Sequence, residues 1–239
     1  MNAETMQHSR QELLKEAEQR LASLGQERIW RPVFAPDGRQ LAEGTGADDD
    51  GLPPDLAGLD FTGKNVVDIG CNLGHFSFLA AEHGAASVLG IDMDEEVVAC
   101  ARVLARLRGA DNVSFLAADV LGASAPAPDG RTFDTSMMID IIGRGSVRKG
   151  LAGSFLDAAA RLASHEMIHT MRPIYSFKEL GVSGADLARF YPERFLREER
   201  FDLLAFALDR FAVKWSAELL TREADLTQRY KYLVRFTRI

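Results

Sequence analysis

From residue 61 onward the apolar positions fall into a repeating order. Short runs rich in Val, Ile, Leu and Met (Lys64 to Ile69, Ala86 to Asp92, Asn112 to Ala117, Phe133 to Ile141) alternate with stretches whose apolar residues recur every three or four positions. A compact apolar run predicts a strand covered on both faces, and the wider spacing predicts a helix with one buried stripe. The helices expected are His75 to Glu82, a second capped by Asp94 with Val97, Cys100, Ala101, Leu104 and Leu107 on one face, and a third from Ser146 to about Ala163. His165 to Met171 is the fifth strand. Residues 172–209 read as mostly helical, and Ala212 to Leu219 and Lys231 to Ile239 as two late strands.

Strand–helix alternation of this kind predicts an α/β fold: a doubly wound, mostly parallel seven-stranded sheet with an antiparallel final strand. Ahead of it, Leu13, Leu14, Ala17, Leu21 and Leu24 mark a helix over 8–24. An irregular lead-in follows, with Trp30, Arg31-Pro32, Pro36-Asp37-Gly38, an acidic run Asp48 to Asp50 and Pro53-Pro54. The expected organisation is an N-terminal helix and lid over 1–59, then one domain over 60–239 with a helical cover at about 172–209.

Composition narrows this little. The length of 239 residues suits one domain with decorations, and 46% hydrophobic with 26% charged residues is that of a folded globule. The polar start lacks the apolar core of a secretory signal, and no run reaches the roughly 18 apolar residues of a membrane span. Two cysteines, Cys71 and Cys100, show no metal-ligand spacing, and a reduced, cytoplasmic setting is expected. Net charge is −7, with the acid concentrated before residue 60. That disfavours loose binding to a phosphate backbone, so a nucleic-acid partner is not expected.

The chemistry concentrates in VVDIGCNLGHFS, residues 66–77. A strand runs into a turn holding Gly70, Asn72 and Gly74, and a helix follows. The dinucleotide fingerprint fails here, because its later glycine positions hold Asn72 and His75. The phosphate-loop pattern fails too, since no Gly-Lys follows. Asp68 beside the turn repels a pyrophosphate but suits a cationic ligand such as S-adenosylmethionine, with its sulfonium and ammonium. Asn72 fits a left-handed turn position. Asp92 ends the second strand 18 residues after Gly74, where an acid can accept both ribose hydroxyls. Met93 beside it can lie on an adenine face, and Asp119 after the third strand can accept the adenine amino group.

In order and spacing, VVDIGCNLGHFS, GIDMD, LAADV and FDTSMMID resemble the class I S-adenosylmethionine-dependent methyltransferases over about residues 60–172. The resemblance implies that Asp68, Gly70, Cys71, Asn72 and Gly74 line the methionine end of the cofactor. It places Asp92 and Met93 at ribose and adenine, Asp119 and Val120 at the adenine edge, and Asp140 or Ile141 near the sulfonium. The implied activity is methyl transfer to an oxygen or nitrogen of a small molecule. Two alternatives stay open. The DFTGKNVVDIGCN layout is faintly similar to the tRNA wobble-uridine (carboxy)methyltransferase type, and the fold also serves non-catalytic cofactor-binding modules.

A methyl acceptor needs alignment and, at times, a base. No histidine stands just after the fourth strand, where many small-molecule O-methyltransferases similar to this domain place one. The catalytic candidates are His169 and Asp140, and His75 is a weaker one. Trp30, Arg144, Arg172 and Tyr175 are candidates for touching substrate, with Lys178 also at the rim. His165 and His169 lack an acid or cysteine to complete a metal site, so no metal is expected. The amino-terminal helix is a candidate either for packing on the lid or for a homodimer contact.

Overall fold

The computed structural model describes residues 3–46, 55–122, 132–221 and 231–239. The acidic run 48–50, Pro53-Pro54 and most of the expected loop at 121–130 lie outside the described residues. The chain falls into two compact units, residues 1–49 with 60–126, and 50–59 with 127–239.

In the first unit α1 spans Ala3–Leu24, β1 Val33–Phe34 and β2 Gln40–Ala42. Then come β3 (Asn65–Ile69), α2 (His75–Glu82), β4 (Ser87–Asp92), α3 (Glu95–Arg108) and β5 (Val113–Ala117). Strands β3, β4 and β5 pair in parallel, with Asp68 opposite Gly90 and Asp92 opposite Ala117. Asp94 Oδ1 caps α3, accepting from the Glu96 and Val97 amides at 3.1 and 3.2 Å. Gly109, at φ 65°, ends the helix. The expected stripe is buried: Val97, Cys100, Ala101, Leu104 and Leu107 are at most 5% exposed. Helix α1 packs on α3 through Ala17, Leu21 and Leu24, and Arg106 reaches Glu16 across that contact at 3.1 Å. Arg102 donates from Nε and Nη2 to the Phe115 carbonyl on β5, at 3.1 and 2.9 Å.

In the second unit β6 spans Phe133–Met138, α4 Arg144–Arg148, α5 Ala152–Leu162 and β7 Ala163–Met171. The single helix expected from Ser146 is therefore two. Gly150, at φ 73°, breaks it, and a Cβ there would lie 2.4 Å from the Phe190 ring. The stretch expected to be mostly helical holds short helices and, besides them, a small antiparallel sheet. Its strands are β8 (Ile174–Ser176), β9 (Leu196–Arg197) and β10 (Arg200–Asp202), in the order β8-β10-β9. The short helices α6 (Phe177–Leu180) and α7 (Gly184–Ala188) lie between β8 and β9 in sequence, and α8 (Leu203–Phe211) follows β10. Glu198 and Glu199 join β9 to β10, both with positive φ, 51° and 56°. The chain closes with β11 (Trp215–Leu219) and β12 (Tyr232–Arg238).

The large sheet has the order β11-β12-β7-β6-β3-β4-β5. It is the seven-stranded, mostly parallel sheet expected. Only β12 runs against its neighbours, antiparallel to both β7 and β11. The antiparallel strand thus lies one place in from the edge, and β11 takes the edge itself.

Candidate active site

Three parallel strands of the first unit end together and carry the acids. Asp68, the fourth residue of β3, is 1% exposed, and its Oδ2 accepts from Ser77 Oγ on α2 at 2.7 Å. Burial pushes its pKa up to about 7; the Asp92 charge adds to this and the Ser77 bond opposes it. After β3 the chain turns sharply. Gly70 sits at φ 72°, and the Gly70 and Cys71 amides both donate to the Ile91 carbonyl at 2.7 and 3.0 Å. Gly74, at φ 85°, precedes α2, and a Cβ there would lie 2.5 Å from Phe115 Cζ. Glycine is required at this position on both counts. Cys71 is buried, which pushes its thiol pKa well up, so it is an inert wall.

Asn72 takes the left-handed conformation expected of it, φ 47°. Its side chain does not bond its own turn. The amide Nδ2 donates to the Arg28 carbonyl at 2.8 Å and Oδ1 accepts from the Trp30 amide at 3.2 Å. Its backbone N–H donates to Asp92 Oδ2 at 2.9 Å, while Asp92 Oδ1 accepts from the Asp94 amide at 3.1 Å. Each Asp92 oxygen thus carries one backbone donor and keeps acceptor capacity for another. Met93 is 74% exposed beside it. Asp119 is exposed and accepts from the Leu121 amide at 2.9 Å, and Val120 is buried. Asp68, the turn, Asp92, Met93, Asp119 and Val120 are therefore gathered at the carboxyl ends of β3, β4 and β5, where open α/β sheets hold ligands.

In the second unit Asp140 and Ile141 follow β6. Asp140 has φ 62° and a side chain only 3% exposed. Its amide donates to Thr170 Oγ1 at 2.8 Å, and Lys231 Nζ donates to its Oδ1 at 2.6 Å. Thr170 Oγ1 lies 3.3 Å from the same oxygen. This carboxylate is spent on holding its neighbours, and Lys231, 22% exposed, is the more open member. Asp140 as a general base is thus poorly served by its setting.

His169 is corrected more firmly. It is 0% exposed, packed at 5.6 Å from the Phe236 ring centroid and 6.5 Å from that of Phe211. Neither ring nitrogen has a hydrogen-bond partner among the described residues, and burial pushes its pKa down to about 3. It is a neutral core residue that no acceptor reaches. Tyr175 is 3% exposed and donates to the Ile142 carbonyl at 3.1 Å; Arg172 lies over its ring and forks onto Glu179. Burial closes Tyr175 off, whereas Arg172 is half-buried and already committed to Glu179. Arg144 is exposed at the start of α4, His75 is exposed at the start of α2, and Trp30 is 41% exposed. Among the described residues no group of three or more His, Cys, Asp and Glu is placed to hold a metal.

Sequence reasoning missed Ser77, Arg28, Thr170 and Lys231. Ser77 alone left a trace, as a hydroxyl inside the apolar HFSFL start of a helix.

A model of the methyltransferase domain matches residues 60–179. The chain belongs to that family, the class I S-adenosylmethionine-dependent methyltransferases. A ribosomal protein L11 methyltransferase of Serratia proteamaculans is 30% identical over 135 residues, covering 52% of this chain and 45% of that protein. A 23S rRNA (uracil(1939)-C(5))-methyltransferase RlmD of Marinomonas is 44% identical over 55 residues, 23% of this chain and 12% of that protein. The chain spans less than half the length of these relatives. The crystal structure of the N-terminal domain of EvdMO1, obtained in the presence of SAH and D-fucose, shares the fold at a TM-score of 0.57. It is 18% identical, with 100% of this chain and 98% of that chain covered. The relatives include enzymes named for a ribosomal protein and a ribosomal RNA, so the expectation against nucleic acid is not supported. No helix among the described residues is long and apolar enough to cross a membrane.

Proposed function

We propose that the enzyme methylates an oxygen or nitrogen of a small-molecule acceptor, with S-adenosylmethionine held at the carboxyl ends of β3, β4 and β5. The observation that carries the donor assignment is Asp92, whose two oxygens are oriented by separate backbone amides and each keep acceptor capacity for a hydroxyl. When bound, the donor supplies a methyl group already activated by a sulfonium. The residues have the rest to do. Asp92 takes the ribose hydroxyls, Met93 lies along the adenine, and Asp119 with Val120 meets the adenine edge. Asp68, Gly70, Cys71, Asn72 and Gly74 surround the methionine end, where a cationic donor group favours the ionised form of Asp68 against the burial that raises its pKa.

On the acceptor side, Asp140 and Ile141 follow β6, with Lys231 and Thr170 fixing Asp140, and the family resemblance assigns them to the sulfonium end. Trp30 and Arg144 are the candidates left for touching the acceptor, an apolar ring and a cation. No side chain is assigned as a base. Alignment of the nucleophile supplies the greater share of the rate in this reading.

Two measurements test it. Calorimetry with S-adenosylhomocysteine is expected to show binding, and Asp92→Ala to weaken it at least tenfold, since two bonds of about 1 kcal/mol each are lost. Unchanged affinity refutes the ribose role. A screen of labelled methyl transfer into small-molecule pools, RNA and ribosomal particles then decides the acceptor. Label in RNA or ribosomal protein alone overturns the small-molecule reading.

A further inference from the structure

The most unusual bonding of the first unit lies outside the acids themselves, between the lead-in and the glycine turn. An amide side chain presents one acceptor and two donors, as a peptide group presents an acceptor and a donor. Asn72 uses both ends where the chain leaves a single 3-10 turn at Gln26–Arg28, donating to the carbonyl of residue 28 and accepting from the amide of residue 30. It serves both residues as a backbone peptide group would. A glycine in its place would hold the same backbone turn at no steric cost, but could make neither bond. The same segment is tied down a second time. Arg28 Nε and Nη2 both reach the Asp94 carboxylate, the former at 3.0 Å, and Nη1 reaches Glu96. These bonds raise the Arg28 pKa and lower that of Asp94.

The segment is also closed upon itself. Thr45 and Gly46 donate to the carbonyls of Ile29 and Trp30 at 2.9 and 2.7 Å. A Cβ at Gly44 or Gly46 would lie 2.6 or 2.8 Å from the facing backbone. Arg31, 5% exposed, lies over the Phe76 ring of α2. The lead-in thus grips both loops that carry the acids: the turn at 70–74 through Asn72, and the β4–α3 corner at 92–94 through Arg28.

We propose that residues 28–30 are a clasp of the donor site, with Arg28 and Asn72 as positioning residues that set Asp92 and bring Trp30 over the cofactor crevice. This deepens the donor assignment made above and rests on it. Asn72 is the joint: its side chain holds the lead-in while its N–H orients Asp92 Oδ2, so displacement of one disturbs the other. Donor binding and docking of the lead-in are therefore coupled. Bound donor holds Trp30 in place, and a loosened lead-in binds donor less well.

The test uses the full chain carrying Trp215→Phe, which leaves Trp30 as its one tryptophan. S-adenosylhomocysteine affinity is read by calorimetry, and Trp30 accessibility by acrylamide quenching with and without that ligand. In the parent, ligand is expected to reduce quenching. Asn72→Gly is expected to weaken binding about tenfold through its two lost hydrogen bonds and to abolish that protection. Arg28→Met leaves the turn intact and is expected to show the same two changes to a smaller degree, which guards against a folding defect in the first variant. If both variants bind like the parent, or ligand leaves Trp30 quenching unchanged in the parent, the clasp is refuted while the donor assignment stands. If the parent itself binds no S-adenosylhomocysteine, the donor assignment falls and the clasp with it.

Discussion

At the scale of single residues, two buried titratable groups pull stability in opposite directions with pH. His169 has a folded pKa near 3, below its unfolded value, so the unfolded chain holds the extra proton as pH falls below about 6.5. Its contribution is present above that pH and is lost on acidification. Asp68 has a folded pKa near 7, above its unfolded value, so the folded chain holds the extra proton from about pH 4 upward. Its contribution is complete below about pH 4 and is lost as pH rises through 7. Between about pH 4 and 6.5 the two slopes oppose each other. Relative to the parent, urea unfolding of His169→Leu is expected to show stability falling more steeply with rising pH across that window. Asp68→Asn is expected to show it rising more steeply. His169→Leu is also expected to gain about 1 kcal/mol at pH 7, because two unpartnered polar atoms leave the core. Parallel pH profiles for parent and variants would refute the assignment.

At the scale of elements, what was legible in the sequence was whatever burial alone dictates. The strands β3, β4 and β5 and the helices between them follow from runs and stripes that only a two-sided sheet satisfies, and the turn acids come with them. Strands β9 and β10 left no such signal. They are two and three residues long, and their pairing is fixed by Phe201 and Tyr175 beneath them, which Arg- and Glu-rich sequence conceals. The break at Gly150 was equally hidden, because its cause is Phe190, forty residues on. Bonds such as Lys231 to Asp140 and Arg28 to Asp94 join residues far apart in the chain, and no spacing rule reports them. The hairpin at Glu198-Glu199 yields a prediction at this scale. Two non-glycine residues occupy left-handed positions that Asn-Gly fills without strain. Glu198→Asn with Glu199→Gly is expected to stabilise the protein by about 1 kcal/mol, read as a raised thermal midpoint. A lowered midpoint would show that the glutamates make up for their backbone strain.

At the scale of the whole molecule, net charge separates the two acceptor classes. A chain of net charge −7 gains little from releasing counterions around a small acceptor, so the transfer rate is expected to stay level between about 50 and 200 mM salt. An acceptor with a phosphate backbone would show a steep fall over that range. The relatives named for ribosomal components make this worth measuring, since this chain spans less than half their length. The far side of the large sheet has a consequence of a different sort. Strand β5 ends the sheet, and a bare terminal strand invites a second molecule to extend the ladder. Arg102 spends two donors on the Phe115 carbonyl there, so an incoming chain meets a bulky cation where it needs an acceptor. With that carbonyl already taken, the border offers a newcomer one acceptor fewer for docking by backbone pairing.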